Sequence, residues 1–141
     1  MLQFSDFKIT DLEFFIQQGV KMSIFKNPIK NPLYKGVLDI TPAELLAHKS
    51  DVRIIDVRRP DEYIGELGHI QGAELIVLDT LPQQIEELPK DETIVFICRS
   101  GNRSGQAAAY AMENGIKSVF NMKGGMIAWN EQGFEISTEE E

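Results

Sequence analysis

Cys98 is the one cysteine among 141 residues, and two arginines, Arg99 and Arg103, follow it within a single loop. The run Thr93-Ile94-Val95-Phe96-Ile97 leads into Cys98-Arg99-Ser100-Gly101-Asn102-Arg103, and the alanine-rich stretch from Ser104 to Ala111 comes next. A β-branched run, a polar glycine-containing loop and an alanine-rich stretch predict strand, loop and helix. The sulfur then lies at the mouth of a ring of backbone N–H groups, under the positive end of a helix dipole. A free thiol is only about three per cent thiolate at pH 7. Cationic neighbours and a helix N-terminus raise that share, and the thiolate is the nucleophile. Gly101 lets successive N–H groups turn inward, and Ser104 stands where a helix N-cap is expected. Arg99, Ser100, Gly101, Asn102 and Arg103 thus form an anion cradle around a nucleophile. The bland alternative is a structural thiol at a strand end; the polar, arginine-bearing sequel argues against it.

Cradle size selects the anion. A phosphatase loop of the Cys-x5-Arg kind has enough amides to surround a tetrahedral phosphate. Cys98 to Arg103 is Cys-x4-Arg, with serine at position 104. The tighter ring suits one bound sulfur atom better than three phosphoryl oxygens, so sulfur transfer is favoured over phosphate-ester hydrolysis. A lone cysteine also excludes an intrachain disulfide and a cysteine-only metal site. Any sulfur that Cys98 accepts must leave to another molecule. His48 and His69 are separated and supply no convincing metal ligand set. Gly124-Gly125 lacks the sequel of a phosphate-binding loop. No metal and no cofactor are expected.

Positioning such a loop requires a sheet. From residue 37 the chain alternates strand and helix patterns. Val37–Ile40, Val52–Val57, Glu74–Val77, Ile94–Ile97 and Ser118–Met122 read as strands. Thr41-Pro42-Ala43-Glu44 is a helix start with cap, proline at the first position and glutamate at the third. Leu81–Leu88 reads as a short helix, the helix after the loop ends near Asn114-Gly115, and Gly124-Gly125 opens a last helix carrying Trp129. This alternation predicts an α/β fold with a mainly parallel sheet and helices on both faces. Sites in such sheets lie beyond the carboxyl ends of strands, where Cys98 falls.

Three regions are expected: an N-terminal extension over 1–36, a main domain over 37–134 and an acidic tail over 135–141. In the first, Thr10-Asp11-Leu12-Glu13 is a capping box ahead of Phe14, Phe15 and Ile16, and Lys26 to Pro32 is a turn-rich linker. The extension is either a docked helix on a tether or a contact for a partner or a second copy through Phe14 and Phe15. A net charge of −8 argues against general nucleic-acid binding. The start, Met1-Leu2-Gln3-Phe4-Ser5-Asp6, lacks the marks of a signal peptide, and no apolar stretch approaches transmembrane length. The expected location is cytoplasmic, with no membrane partner.

The motifs taken together resemble the rhodanese family over roughly residues 37–134. Asp56-Val57-Arg58 with Glu62-Tyr63 looks like its first signature and Gly68-His69-Ile70-Gln71-Gly72-Ala73 like its second. Cys98 to Arg103 looks like its six-residue active loop, and Gly124-Gly125-Met126 with Trp129 like its closing motif. The resemblance implies a rhodanese-like, single-domain sulfurtransferase with a five-stranded, mainly parallel sheet. It further implies a Cys98 persulfide fed by thiosulfate or another sulfane-sulfur compound. Two departures stand out: Ile64-Gly65-Glu66-Leu67 lengthens one spacing, and Ser100 stands where some thiosulfate-specialised members carry a basic residue.

Arg58 either orients an anionic donor or braces the loop by pairing with Glu62 or Asp61. Asp56 and Glu62, with Ser104, are assigned to structural support. His69 is expected to stabilise a turn rather than act as a base. The expected chemistry is thiolate attack on a small-molecule sulfur donor, then transfer to an external thiol, a thioredoxin-like protein or cyanide. A persulfide carrier or redox-sensing module serving a protein partner would use the same loop, and a phosphatase or arsenate reductase on this scaffold is the third reading.

Overall fold

The structure, a computed structural model, describes residues 23–140. The helix expected around Thr10–Gly19 lies outside the described residues. The described chain folds around one six-stranded sheet of order β1-β2-β6-β5-β3-β4. Its strands are β1 (Ile29–Lys30), β2 (Leu38–Ile40), β3 (Arg53–Asp56), β4 (Glu74–Leu75), β5 (Thr93–Ile97) and β6 (Ser118–Met122). All pairs are parallel except β1 with β2. The α/β fold and the five expected strands are all present. The sixth, β1, comes from the stretch expected as a linker, and both its residues are exposed. Two exposed residues at a sheet edge leave no alternating pattern for a sequence to display.

Among the described residues the α-helices are α1 (Pro42–Ala47), α2 (Pro60–Tyr63), α3 (Leu81–Gln84), α4 (Asn102–Glu113) and α5 (Gly125–Glu131). α1 begins with the expected capping box: the Thr41 hydroxyl accepts from the Glu44 amide at 3.1 Å, and Glu44 accepts from the Thr41 amide at 3.2 Å. Sequence expectation runs α3 on to Leu88, whereas the helix ends at Gln84 and continues as a tighter 3₁₀ turn over Ile85–Glu87.

The period-two alternation of the strands sorts the core into two layers. Val37, Ile55, Ile94, Phe96, Cys98 and Val119 face Leu81, Ile85 and the alanines Ala107, Ala108 and Ala111 of α4. Ile54, Val95, Ile97, Phe120 and Met122 face Leu45 of α1 and Met126 and Trp129 of α5. Phe25 belongs to this second layer and meets the Phe120 ring edge-on at 5.0 Å, so the folded unit includes residues ahead of position 37. At the other end, His69 and Ser137 exchange backbone hydrogen bonds of 2.8 and 2.9 Å, and Trp129 Nε1 donates to the Glu135 carbonyl. The start of the expected acidic tail is thereby docked. Among the described residues, no helix is long and apolar enough to cross a membrane.

Candidate active site

β5 lies inside the sheet between β6 and β3, and its carboxyl end delivers Cys98. The residue is 1 % exposed. Its sulfur accepts two hydrogen bonds, from the Gly101 amide at 3.1 Å and from the Ser104 hydroxyl at 3.2 Å. Gly101 takes φ +105°, a left-handed conformation that glycine adopts without strain, and it caps α4 in place of Ser104. The helix therefore starts at Asn102, and Ser104 sits in its first turn, where its hydroxyl turns back onto the sulfur. The expected serine cap is corrected on this point: the left-handed glycine reverses the chain three residues earlier.

Among the described residues, the backbone N–H groups of Arg99, Ser100, Asn102, Arg103 and Ser104 make no hydrogen bond. With Gly101 N–H on the sulfur, they line a cradle at the start of α4 suited to an anion. The loop is held from behind by α5. Met126 N–H donates to the Cys98 carbonyl at 2.8 Å, and Ile127 N–H to the Arg99 carbonyl at 3.0 Å. This contact explains the Gly124-Gly125 pair. At Gly125, φ is +59°, and a Cβ would lie 2.5 Å from the Cys98 oxygen and from the Arg99 carbonyl carbon and oxygen.

The cations divide by role. Arg99 is exposed, and its side chain has no hydrogen bond or ion pair among the described residues. Arg103 is half-buried, and its two terminal nitrogens donate to the two oxygens of Glu62 at 2.7 and 2.8 Å. Those hydrogen bonds outweigh burial and hold the Glu62 carboxyl down to about 2; the Arg59 amide and the charge of Arg58 act in the same direction. Arg103 is raised in turn, first by Glu62 and more weakly by the charges of Cys98 and Asp56.

Arg58 is fully buried. Its Nε and Nη2 bond both oxygens of Asp56 at 2.7–3.2 Å, Nη1 donates to the Glu62 carbonyl, and Nη2 donates to the Gly68 carbonyl. Every nitrogen of the guanidinium is engaged, and Asp56 rather than Glu62 or Asp61 is its carboxylate partner. His69 is buried, with Nδ1 2.7 Å from the Tyr63 carbonyl and its ring stacked on Tyr63 at 3.6 Å. Ser100 and Asn102 are exposed, and the Asn102 side chain accepts from the Tyr34 hydroxyl at 2.8 Å. What these two offer the cradle is backbone N–H.

Sequence reasoning missed a buried polar chain behind the sulfur. Ser104 Oγ donates to Asn121 Oδ1, Asn121 Nδ2 donates to Asp39 Oδ1 at 2.9 Å, and Asn31 Nδ2 donates to the same oxygen at 2.9 Å. The signal was there: an asparagine interrupts the apolar strand Ser118-Val119-Phe120-Asn121-Met122.

An α/β fold with a cysteine cradle at the carboxyl edge of its parallel sheet defines a class, and comparison with known proteins gives its family. The family model described as the Rhodanese-like domain matches residues 41–132. The chain belongs to this family. A protein named sulfurtransferase from Allochromatium vinosum is 40% identical over 94 residues, spanning 67% of this chain and 86% of its own. Thiosulfate sulfurtransferase GlpE of Pseudoalteromonas translucida is 37% identical over 84 residues, 60% of this chain and 78% of its own. Among solved structures, a rhodanese-related protein of Thermoplasma volcanium superposes with a TM-score of 0.67 at 29% identity, covering 72% of this chain and 98% of that one.

Proposed function

We propose that the protein is a sulfurtransferase that moves sulfane sulfur through a Cys98 persulfide. Thiosulfate or a related persulfide compound is the donor, and an external thiol, a thioredoxin-like protein or cyanide is the acceptor. The observation that carries this reading is the cradle: a sulfur held by Gly101 N–H and Ser104 Oγ–H beneath amides with no partner among the described residues. The thiolate attacks the outer sulfur of the donor. A bond forms from Sγ to that sulfur, the donor's S–S bond breaks, and its electron pair leaves with sulfite when thiosulfate is the donor. The negative charge now rests on the outer sulfur of the persulfide, where the amides of residues 99–103 stabilise it. Arg99 draws the anionic donor in, Arg103 fixes the loop against Glu62, and Arg58 with Asp56 builds the wall behind them. The acceptor then takes the outer sulfur and restores the thiolate.

Intact-mass measurement after donor treatment tests the reading. Cys98 gains about one sulfur atom, acceptor thiol removes it, and turnover is ping-pong. Full transferase activity in Cys98→Ser would contradict it.

A further inference from the structure

Ser104 has one hydroxyl proton and two acceptors. Its Oγ lies 3.2 Å from Cys98 Sγ and also meets Asn121 Oδ1 at short range. The Asn121 amide is pinned the wrong way round to relieve that competition. Its Nδ2 is committed to Asp39 Oδ1, and a carboxylate oxygen accepts hydrogen bonds only. Oδ1 must therefore face Ser104, where it too can only accept. Asp39 is fixed by Asn31 from the segment ahead of β2. The three side chains come from β2, β6 and α4, and Asp39, Asn121 and Ser104 are 3 %, 2 % and 0 % exposed. Asp39 and Asn121 are register partners in adjacent strands, on the sheet face that carries Val37, Phe96 and Val119. Polar groups in an apolar layer cost stability unless they are bonded. This chain of bonds ends on the nucleophile, where one hydroxyl proton serves two acceptors.

We propose that Asn121 and Asp39 are positioning residues that set how firmly Ser104 donates to the Cys98 sulfur; the proposal rests on the reading of Cys98 as the sulfur-carrying nucleophile. When charge sits on Sγ, the Ser104 proton turns to the sulfur and Asn121 Oδ1 loses its donor. When sulfur is carried, charge has moved to the outer atom, Sγ is a weak acceptor, and the proton returns to Asn121. The thiolate is thus stabilised less than an uncontested hydroxyl would stabilise it. A less stabilised thiolate is the better nucleophile toward a sulfur donor. The hydroxyl still turns to Sγ when Cys98 departs as leaving group in the second transfer.

The other charges around the sulfur are Arg99 in the loop, Arg103 on α4, Glu62 on α2, and Asp56 with Arg58 at the end of β3. The first turn of α5, Gly125 to Ala128, carries none. These groups are the same in every variant below, so their effect cancels in the comparison; the charge of Asp39 is also constant except in Asp39→Asn, where the Ser104→Ala background controls for it.

The test is the rate of Cys98 alkylation by iodoacetamide across pH, on the full chain with no sulfur donor present. Asn121→Leu removes the competitor, and the pH at half-maximal rate moves down by about one unit, the scale of one hydrogen bond to a charged group. Ser104→Ala moves it up. The double variant Ser104→Ala/Asn121→Leu matches Ser104→Ala, because Asn121 acts only through the hydroxyl. Asp39→Asn keeps the shape and lets the Asn121 amide turn over. Because loss of the Asp39 charge lowers the midpoint by itself, the readout is the part of the shift that disappears in Ser104→Ala/Asp39→Asn, so the proposal stays testable if the leucine variant fails to fold. Equal shifts from Asn121→Leu or from Asp39→Asn with and without Ser104, or unmoved midpoints in both, overturn it. Alkylation involves no sulfur transfer, so failure here leaves the sulfurtransferase reading standing. Failure of Cys98 to gain sulfur, with these shifts present, removes the transfer role alone.

Discussion

Glu62 and Arg103, 41 positions apart in sequence, are joined by two hydrogen bonds of 2.7 and 2.8 Å that tie the active loop to the helix following β3. The carboxyl of Glu62 falls from its ordinary 4.5 to about 2 in the fold. A lowered folded-state value means that the pair's stabilisation is fully present above about pH 4.5 and is lost as pH falls toward 2. With Glu62 18% and Arg103 35% exposed, solvent screening discounts the gain to about 1–2 kcal/mol. Urea denaturation of Glu62→Gln at pH 7 should show that loss against wild type, and the gap should narrow by pH 3. A gap that stays constant between the two pH values would show that the carboxylate's charge plays no part.

Gly125 is constrained twice, by its left-handed φ and by the backbone of Cys98 and Arg99 against it. Gly133 is left-handed as well, at φ +76°, but a Cβ there meets nothing within 4 Å. Gly133→Ala should therefore cost only backbone strain, about 1–2 kcal/mol. Gly125→Ala should cost more than that and displace the loop, so activity per folded molecule falls with stability. Thermal denaturation of the two variants side by side decides it. Equal melting temperatures would mean that the close approach of α5 to the loop carries no energy.

Arg58 and Asp56 form a buried pair, 1% and 0% exposed, with every guanidinium nitrogen bonded. Removing one partner of a buried pair strands the other charge, at a cost of about 3–5 kcal/mol. Arg58→Met should lose that much stability in urea titration, with the donor KM of the folded fraction little changed. A raised KM at unaltered stability would instead make Arg58 a donor-binding residue.

Arg99 is the loop cation with no ion-pair partner among the described residues. Its removal should leave stability within about 0.5 kcal/mol, as for an exposed side chain free of packing. The donor KM should rise several-fold for an anionic donor, and the salt dependence of kcat/KM should weaken, because attraction between exposed charges is screened by added salt. Steady-state kinetics of Arg99→Ala with thiosulfate, at low and high ionic strength, measure both effects.

Much of this site could be read along the chain because its determinants are local. Thr93–Ile97, Cys98 and Gly101 fall within one short stretch of chain, and the turn, the cradle and the helix dipole follow from residue types in order. Strand order is not local. Asp39 and Asn121 lie 82 residues apart and meet only because β2 pairs with β6 in register. The same holds for Gly125, whose need for glycine comes from a loop 26 positions earlier rather than from its own turn. Serine caps helices often, which points to Ser104, whereas the left-handed Gly101 that caps α4 is a feature of the folded loop. Two exposed residues at the sheet edge gave β1 no pattern at all.

Whether Cys98 carries sulfur is read from intact mass. The full chain is incubated with thiosulfate and, separately, with glutathione persulfide, and its mass is then read before and after addition of an acceptor thiol. The expected result is a gain of about one sulfur atom confined to Cys98, lost on addition of thiol and missing in Cys98→Ser. An unchanged mass with both donors, or a gain that persists in Cys98→Ser, would contradict it.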